Sequence, residues 1–181
     1  SFLRKQATPV SALSPNADTG FFALEAPRDL LFQDEENRRL MRELYCGIDC
    51  TQEQFDELIL PICLWVASYC QSLPASRFKH HHQAGGLLTH SLEVAVNASR
   101  ELGGHTFDSV LPGQLRKKRI VQWHAVTTLI ALCHDLGKVI TEFEVSLPRS
   151  KHPELSNTPD SDLIWPAHRK TLVDWLTEFH G

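Results

Sequence analysis

Residues 85–102 read "GGLLTHSLEVAVNASREL", and their apolar side chains recur every three or four positions. This spacing predicts an amphipathic helix over residues 87–102 with one face packed in a core. A glycine pair, Gly85-Gly86, precedes the helix and lets the backbone turn sharply into it. His90 lies in the first helical turn, on the polar side of the apolar face formed by Leu88, Leu92 and Ala95. The segment therefore predicts a packed helix that presents a histidine near its beginning.

A second long helix is predicted over residues 115–137, within "LRKKRIVQWHAVTTLIALCHDLGK". Residues 125–133 are nearly all apolar, so we expect this part of the helix to be buried. Gly137 is predicted to end the helix, which places His134 and Asp135 in its last turn.

The remaining segments also favour helices. Short helices are expected over residues 34–44 and from Pro166 onwards, and a helix over residues 51–71 is expected to kink at Pro61. No sustained run of alternating strand residues is present, although a short β-hairpin would fit near residues 140–165. The sequence predicts an all-α helical bundle.

The chain is expected to form one domain. Residues 1–30, rich in proline and serine, predict an irregular arm, and residues 31–181 predict a helical domain. Because the chain starts at Ser1 and its single methionine is Met41, we expect it to be a fragment of a longer protein.

The composition excludes several classes of protein. Apolar residues make up 42% of the chain and charged residues 22%, as in soluble globular proteins. No apolar run could span a membrane, and five cysteines without a CxxC pair argue against a secreted disulfide framework. We therefore expect a cytoplasmic protein. The net charge of −4 means that any affinity for nucleic acid must come from a local patch.

His134 and Asp135 form the most suggestive pair for chemistry. On a helix, adjacent side chains point about 100° apart, so both can reach one cation beside the last turn. A competing interpretation is that Lys138 simply neutralises Asp135 and that His134 is a core histidine. His90, on another helix, would complete a mixed nitrogen and oxygen ligand set suited to Mn, Fe, Zn or Mg.

The residues also resemble a known family. "GGLLTHSLEVA" at 85–95, followed by "ALCHDLGKV" at 131–139, resembles the HD superfamily of metal-dependent phosphohydrolases, an all-α fold that binds one or two divalent cations. The fuller string, with "LPAS" at 73–76 and the histidines at 80–82, more closely resembles the N-terminal domain of MobH-class (TraI-type) conjugative relaxases of integrative elements and plasmids. The likeness covers residues 30–138 and, more weakly, continues to about 176.

The resemblance implies a set of site residues. His90, His134 and Asp135 correspond to metal ligands, and Asp135 and Lys138 to catalytic positions. His80, His81 and His82 correspond to a signature of the relaxase class, from which at most two could reach one ion. His168 is a further candidate ligand, with an ordinary surface histidine as the alternative.

One departure concerns the aspartate that the family supplies from a later helix. Asp160 and Asp162 are predicted in a loop, and Asp174 belongs to a helix that comes early for this role. Either Asp174 supplies the ligand or the ligand lies beyond Gly181. This departure puts the activity of the fragment in question.

The implied function is metal-dependent phosphodiester chemistry on single-stranded DNA at a transfer origin, with other conjugation proteins as partners and no membrane association. The alternatives are an HD nucleotide phosphohydrolase and a non-catalytic docking module of a conjugation complex. Tyr69 is expected in the core, and Tyr45 ends a helix, so neither is favoured as a nicking nucleophile. The run Arg116-Lys117-Lys118-Arg119 could bind a phosphodiester backbone, or could be a solvated helix start.

Overall fold

The computed structural model describes residues 25–71, 73–75, 84–147 and 153–180. In these ranges the regular structure is helical, which confirms the predicted all-α class. The α-helices are α1 (Pro27–Phe32), α2 (Glu35–Gly47), α3 (Gln52–Leu58), α4 (Leu60–Cys70), α5 (Gly86–Gly103), α6 (Gly113–Cys133), α7 (Leu136–Thr141) and α8 (Leu172–His180), and Pro153–Leu155 and Asp160–Leu163 form 3-10 turns.

Local capping explains where several helices begin. The Asp34 carboxylate accepts a hydrogen bond from the backbone N–H of Asn37 at 2.8 Å and caps α2. Thr51 and Gln54 form a reciprocal capping box at the start of α3. Gly85 precedes α5 with a φ of 77°, a left-handed conformation that favours glycine. The predicted helix over residues 87–102 is thus present and is anchored at its beginning.

Two prolines lie in the first turns of helices where the sequence predicted otherwise. Residues 27–30 were assigned to the irregular arm, but Pro27 is the first residue of α1, because its fixed φ suits a position that needs no backbone donor. Pro61 was expected to kink one long helix. Instead α3 ends at Leu58 and α4 begins at Leu60, since Pro61 lacks the N–H that would have continued the ladder.

The core is built around α4 and α5. Helix α5 packs mainly against α6 on one side and α2 on the other, while α4 contacts α1, α3, α5, α6 and α8. Leu88, Leu92 and Ala95 of α5 are fully buried, as their spacing predicted. The first turns of α5 are therefore held in a fixed position in the bundle.

Helix α6 differs from the prediction in its burial. One face, including Val121, Thr128 and Leu132, is buried. The opposite face exposes Val126, Leu129 and Ile130, the last with 65% of its surface accessible. The prediction of a buried segment was wrong for this face, because α5 and α4 cover only the opposite side of α6.

The end of α6 also differs. The helix stops at Cys133, His134 and Asp135 form a turn, and α7 begins at Leu136. Gly137 lies inside α7 and does not end a helix. The His-Asp pair thus occupies a junction between two helices.

In place of the expected hairpin near residues 140–165, the described part of this region has a single β-bridge. An isolated antiparallel bridge joins Ser146 and Ile164, and the N–H of Leu147 donates to the carbonyl of Leu163 at 2.9 Å. Pro166 does not begin the last helix; residues 167–169 form a turn, and α8 starts at Leu172, with the Thr171 hydroxyl accepting from the N–H of Asp174. None of the helices in the described ranges has the length and apolarity needed to cross a membrane.

Candidate metal centre

Three side chains converge where α5 meets the junction of α6 and α7. A nitrogen of His90, a nitrogen of His134 and a carboxylate oxygen of Asp135 all lie within 4.8 Å of one another. The Nε2 atoms of His90 and His134 lie 3.5 Å and 3.4 Å from the same oxygen, Oδ2 of Asp135. In the described part of the chain, no other group of histidine, cysteine, aspartate and glutamate side chains is so close.

His90 is positioned by a hydrogen-bonded chain through its neighbour Thr89. The Thr89 hydroxyl donates to the amide oxygen of Asn37 at 2.9 Å, and the Asn37 amide nitrogen donates to the carbonyl of Leu30 at 3.0 Å. Asn37 is buried, so these bonds satisfy a polar group that would otherwise be costly. They tie the first turns of α5, which carry His90, to α1 and α2.

His134 is oriented by the last turn of α6. Its Nδ1 lies 2.6 Å from the carbonyl oxygen of Ala131, three residues earlier. Because a carbonyl only accepts, Nδ1 must carry the proton in this contact. In the neutral ring Nε2 is then the lone-pair nitrogen, and it faces Asp135 and His90. This is the tautomer and the backbone partner that metal-binding histidines commonly have.

Asp135 is the focus of the charges in the site. The Lys138 ammonium donates to Oδ2 of Asp135 at 2.6 Å, a charge-assisted bond across three residues. The carboxylate is 14% exposed and the lysine side chain 37% exposed. The predicted catalytic pair is thus in direct contact. The same ion pair also satisfies the alternative in which Lys138 alone neutralises Asp135.

The other predicted ligands that lie within the described residues do not join this group. His168 and Asp174 line a neighbouring cleft together with Trp65 and Gly137. Asp160 and Asp162 lie exposed in a 3-10 turn. His80, His81 and His82 lie outside the described residues, so their prediction is not addressed by the structure.

Neither tyrosine gains support as a nucleophile. Tyr69 is buried, as predicted, and its hydroxyl donates to the carbonyl of Ala167 at 2.7 Å. Tyr45 packs edge-to-face against Phe55, with ring centroids 5.2 Å apart. Both rings contribute to packing.

The basic run lies exposed at the start of α6. Arg119 pairs with Asp108 at 3.4 Å, whereas Arg116 and Lys117 line a concave cleft of about 580 Å³ with the preceding loop. Trp123 also lines this cleft, which the sequence analysis did not predict. A detectable signal was the four-residue spacing of Trp123 from Arg119, which places both on one helix face. The contribution of the loop residue Asp108 had no comparable signal in the sequence.

Comparisons with known proteins support a family assignment. The model of the TraI_2 family, described as "Putative helicase", matches residues 20–175, a span that includes α5, the His-Asp turn and the start of α8. No curated protein and no solved structure matched. Since the match covers most of the chain, the chain belongs to the TraI_2 family of conjugation-related relaxase-type or helicase-type proteins.

Proposed function

We propose that this chain is an HD-type domain of a MobH-class relaxase, which cleaves phosphodiester bonds of single-stranded DNA with a bound divalent cation. The main support is the convergence of His90, His134 and Asp135 from two separate segments of the fold within 4.8 Å. Family membership supports the DNA and the conjugation context.

The chemistry of the donor atoms fits a divalent cation. Two imidazole nitrogens and one carboxylate are ligands that Mn, Fe and Zn accept readily, and Mg accepts with more oxygen ligands. His134 has its Nε2 lone pair available because Nδ1 contacts Ala131. Three ligands leave positions for water and for a phosphate oxygen. The donor set is therefore suited to catalysis more than to a closed structural site.

Each residue of the site would have its own role in the cleavage. His90 and His134 hold the cation, and Asp135 adds the negative charge that attracts it. When bound, a divalent cation activates a water molecule for attack and neutralises charge on the phosphodiester. Lys138 contacts Asp135 at 2.6 Å and is placed to offset charge that develops on the phosphate as the bond breaks.

Strand separation driven by ATP is less well supported by these residues. The 181 residues contain no G-x-x-x-x-G-K-[ST] sequence, the loop with which P-loop helicases bind nucleotide phosphates. The Gly-Lys pair at 137–138 is followed by Val139 and lies in a helix. We therefore propose phosphodiester cleavage as the activity of this chain.

The experiment compares substrates and matched variants. Purified protein is incubated with labelled single-stranded DNA or with nucleoside triphosphates, in Mn²⁺, Mg²⁺, Zn²⁺ or Fe²⁺. We expect DNA cleavage that Asp135→Asn abolishes and that Asp162→Asn, an exposed aspartate outside the cluster, leaves unchanged. Hydrolysis of nucleotides alone would favour the nucleotide phosphohydrolase, and the absence of both activities in metal-loaded protein would favour the docking module.

A further inference from the structure

We infer that the cleft between residues 105–108 and the start of α6 binds single-stranded DNA, with a base against its aromatic wall and the backbone phosphates on Arg116 and Lys117. The inference rests on the proposed function, because it takes DNA as the polymer that binds in the cleft. It concerns a surface formed by residues other than His90, His134 and Asp135, which gives the domain a separate binding subsite for the strand.

The wall of the cleft is a row of aromatic rings. Phe107 and Trp123 stack with their centroids 5.1 Å apart and their planes 25° apart, and His105 lies 6.3 Å from Phe107. Trp123 remains 39% exposed despite this stacking. An exposed indole held by a second ring is a rigid surface for a nucleobase, because every base has a π-face that can stack on it.

The Asp108 side chain holds the loop in its arrangement. Asp108 has a φ of 53°, in the left-handed region that residues with a side chain seldom occupy. Its carboxylate accepts from the Trp123 indole N–H at 3.2 Å and from Arg119 at 3.4 Å. These bonds hold the loop against α6 and keep Phe107 stacked on Trp123.

The charges of the cleft suit a phosphate backbone. Arg116 and Lys117 line it and form no ion pair within the described residues. Asp49 also lines the cleft, and Asp108 is already paired with Arg119. Cations therefore outnumber free carboxylates here in a chain whose net charge is −4. A local excess of this kind attracts phosphate where the overall field does not.

The size of the cleft favours one strand over a duplex. A volume of about 580 Å³ is in the range of sites for small ligands, and it fits one or two nucleotides. Cationic groups at one side and stacked rings at the other match the two parts of a nucleotide. Proteins that bind single strands combine these two features.

The test measures binding of a fluorescein-labelled oligothymidylate to the intact chain in the presence of a chelator, so that no cleavage occurs. We expect Trp123→Ala to weaken binding by about 5- to 150-fold, the range for loss of one stacked base. Trp123→Phe should retain most of the affinity, because the ring remains. Arg116→Gln with Lys117→Gln should reduce the slope of log affinity against log salt by about 1.4.

Trp65→Ala is the matched control. Trp65 is also exposed, at 48%, and also stacks on a second ring, Tyr69. It lines a different cleft, the one that contains His168 and Asp174. Its removal should leave binding unchanged. If Trp65→Ala weakens binding and Trp123→Ala does not, the strand lies in the other cleft and the inference is overturned. Equal affinity of wild type and Trp123→Ala would also overturn it.

Failure of this inference and failure of the proposed function give different results. Asp135→Asn should lose DNA cleavage and still bind the oligonucleotide through Trp123. Normal cleavage by a Trp123→Ala variant with unchanged affinity would reject the cleft and retain the proposed function. Binding that depends on Trp123, with no cleavage in the presence of any of the metals, would retain the cleft and reject the proposed function.

Discussion

Removal of the Lys138 charge should tighten cation binding. In the structure the Lys138 ammonium lies 2.6 Å from Oδ2 of Asp135, the oxygen that faces both histidines. A divalent cation that uses this carboxylate must compete with the ammonium or share the oxygen with it. Lys138→Met removes the competing charge and keeps a side chain of similar length. We therefore expect a higher affinity for the cation in this variant.

The size of the effect follows from the exposure of the pair. A hydrogen bond to a charged group contributes about 1.5–3 kcal/mol when it is shielded from water, and exposed ion pairs contribute under about 1 kcal/mol. Lys138 is 37% exposed, so the solvent screens part of the interaction. A contribution of about 1–1.5 kcal/mol to cation binding corresponds to a dissociation constant about 5- to 13-fold lower.

The assay is calorimetric titration of metal-free protein with Mn²⁺ or Zn²⁺. Lys138→Arg keeps the charge and should bind the cation like the wild type. Lys170→Met is the matched control, because Lys170 also pairs with a carboxylate, that of Glu178, away from the cluster. An unchanged or weaker affinity in Lys138→Met would refute the reasoning, since Lys138 would then support the cation site and not compete with the ion. DNA cleavage by Lys138→Met should fall even as the cation binds more tightly.

Two further predictions concern the packing of α5 against α6. Burial lowers the pKa of His124 below its usual value of 6.5, so the unfolded chain binds more protons than the folded chain between the lowered pKa and 6.5. The free energy of unfolding should therefore decrease as the pH falls from about 7 through that interval. Urea denaturation at several pH values should show a smaller decrease for His124→Gln than for the wild type. Equal decreases in the two proteins would contradict the prediction. Thr128 is fully buried, and its hydroxyl has no hydrogen-bond partner within the described structure. Thr128→Val should raise the free energy of unfolding by roughly 1 kcal/mol, because it removes an unsatisfied polar atom at nearly constant volume, and a decrease would indicate a partner for this hydroxyl.

The features that depend on local sequence were predictable. The spacing of Leu88 and Leu92 gave the buried face of α5, and the capping box at Thr51 marked the start of α3. The convergence of His90 with His134 was suggested by their residue types and by the resemblance, because spacing within each helix does not determine how two helices pack. Their role as metal ligands stays a prediction.

The errors arose where the outcome depends on distant neighbours. Ile130 belongs to an apolar run, yet it is exposed because no described element covers that side of α6. Gly137 was expected to end a helix, but the break occurs earlier, at His134 and Asp135. The loop at Asp108 acquires its shape from contacts with Arg119 and Trp123, more than ten residues away. Such contacts have no periodic signal in the sequence.

The central claim is that His90, His134 and Asp135 bind a divalent cation. The most direct test is elemental analysis of wild-type protein and of the double variant His134→Ala, Asp135→Ala, each purified without chelator and dialysed against trace Mn²⁺, Fe²⁺ or Zn²⁺. A His168→Ala, Asp174→Ala variant, altered outside the cluster, is the matched control. We predict bound metal in the wild type and the control and its loss from the double variant. Equal metal content in wild type and double variant would contradict the account.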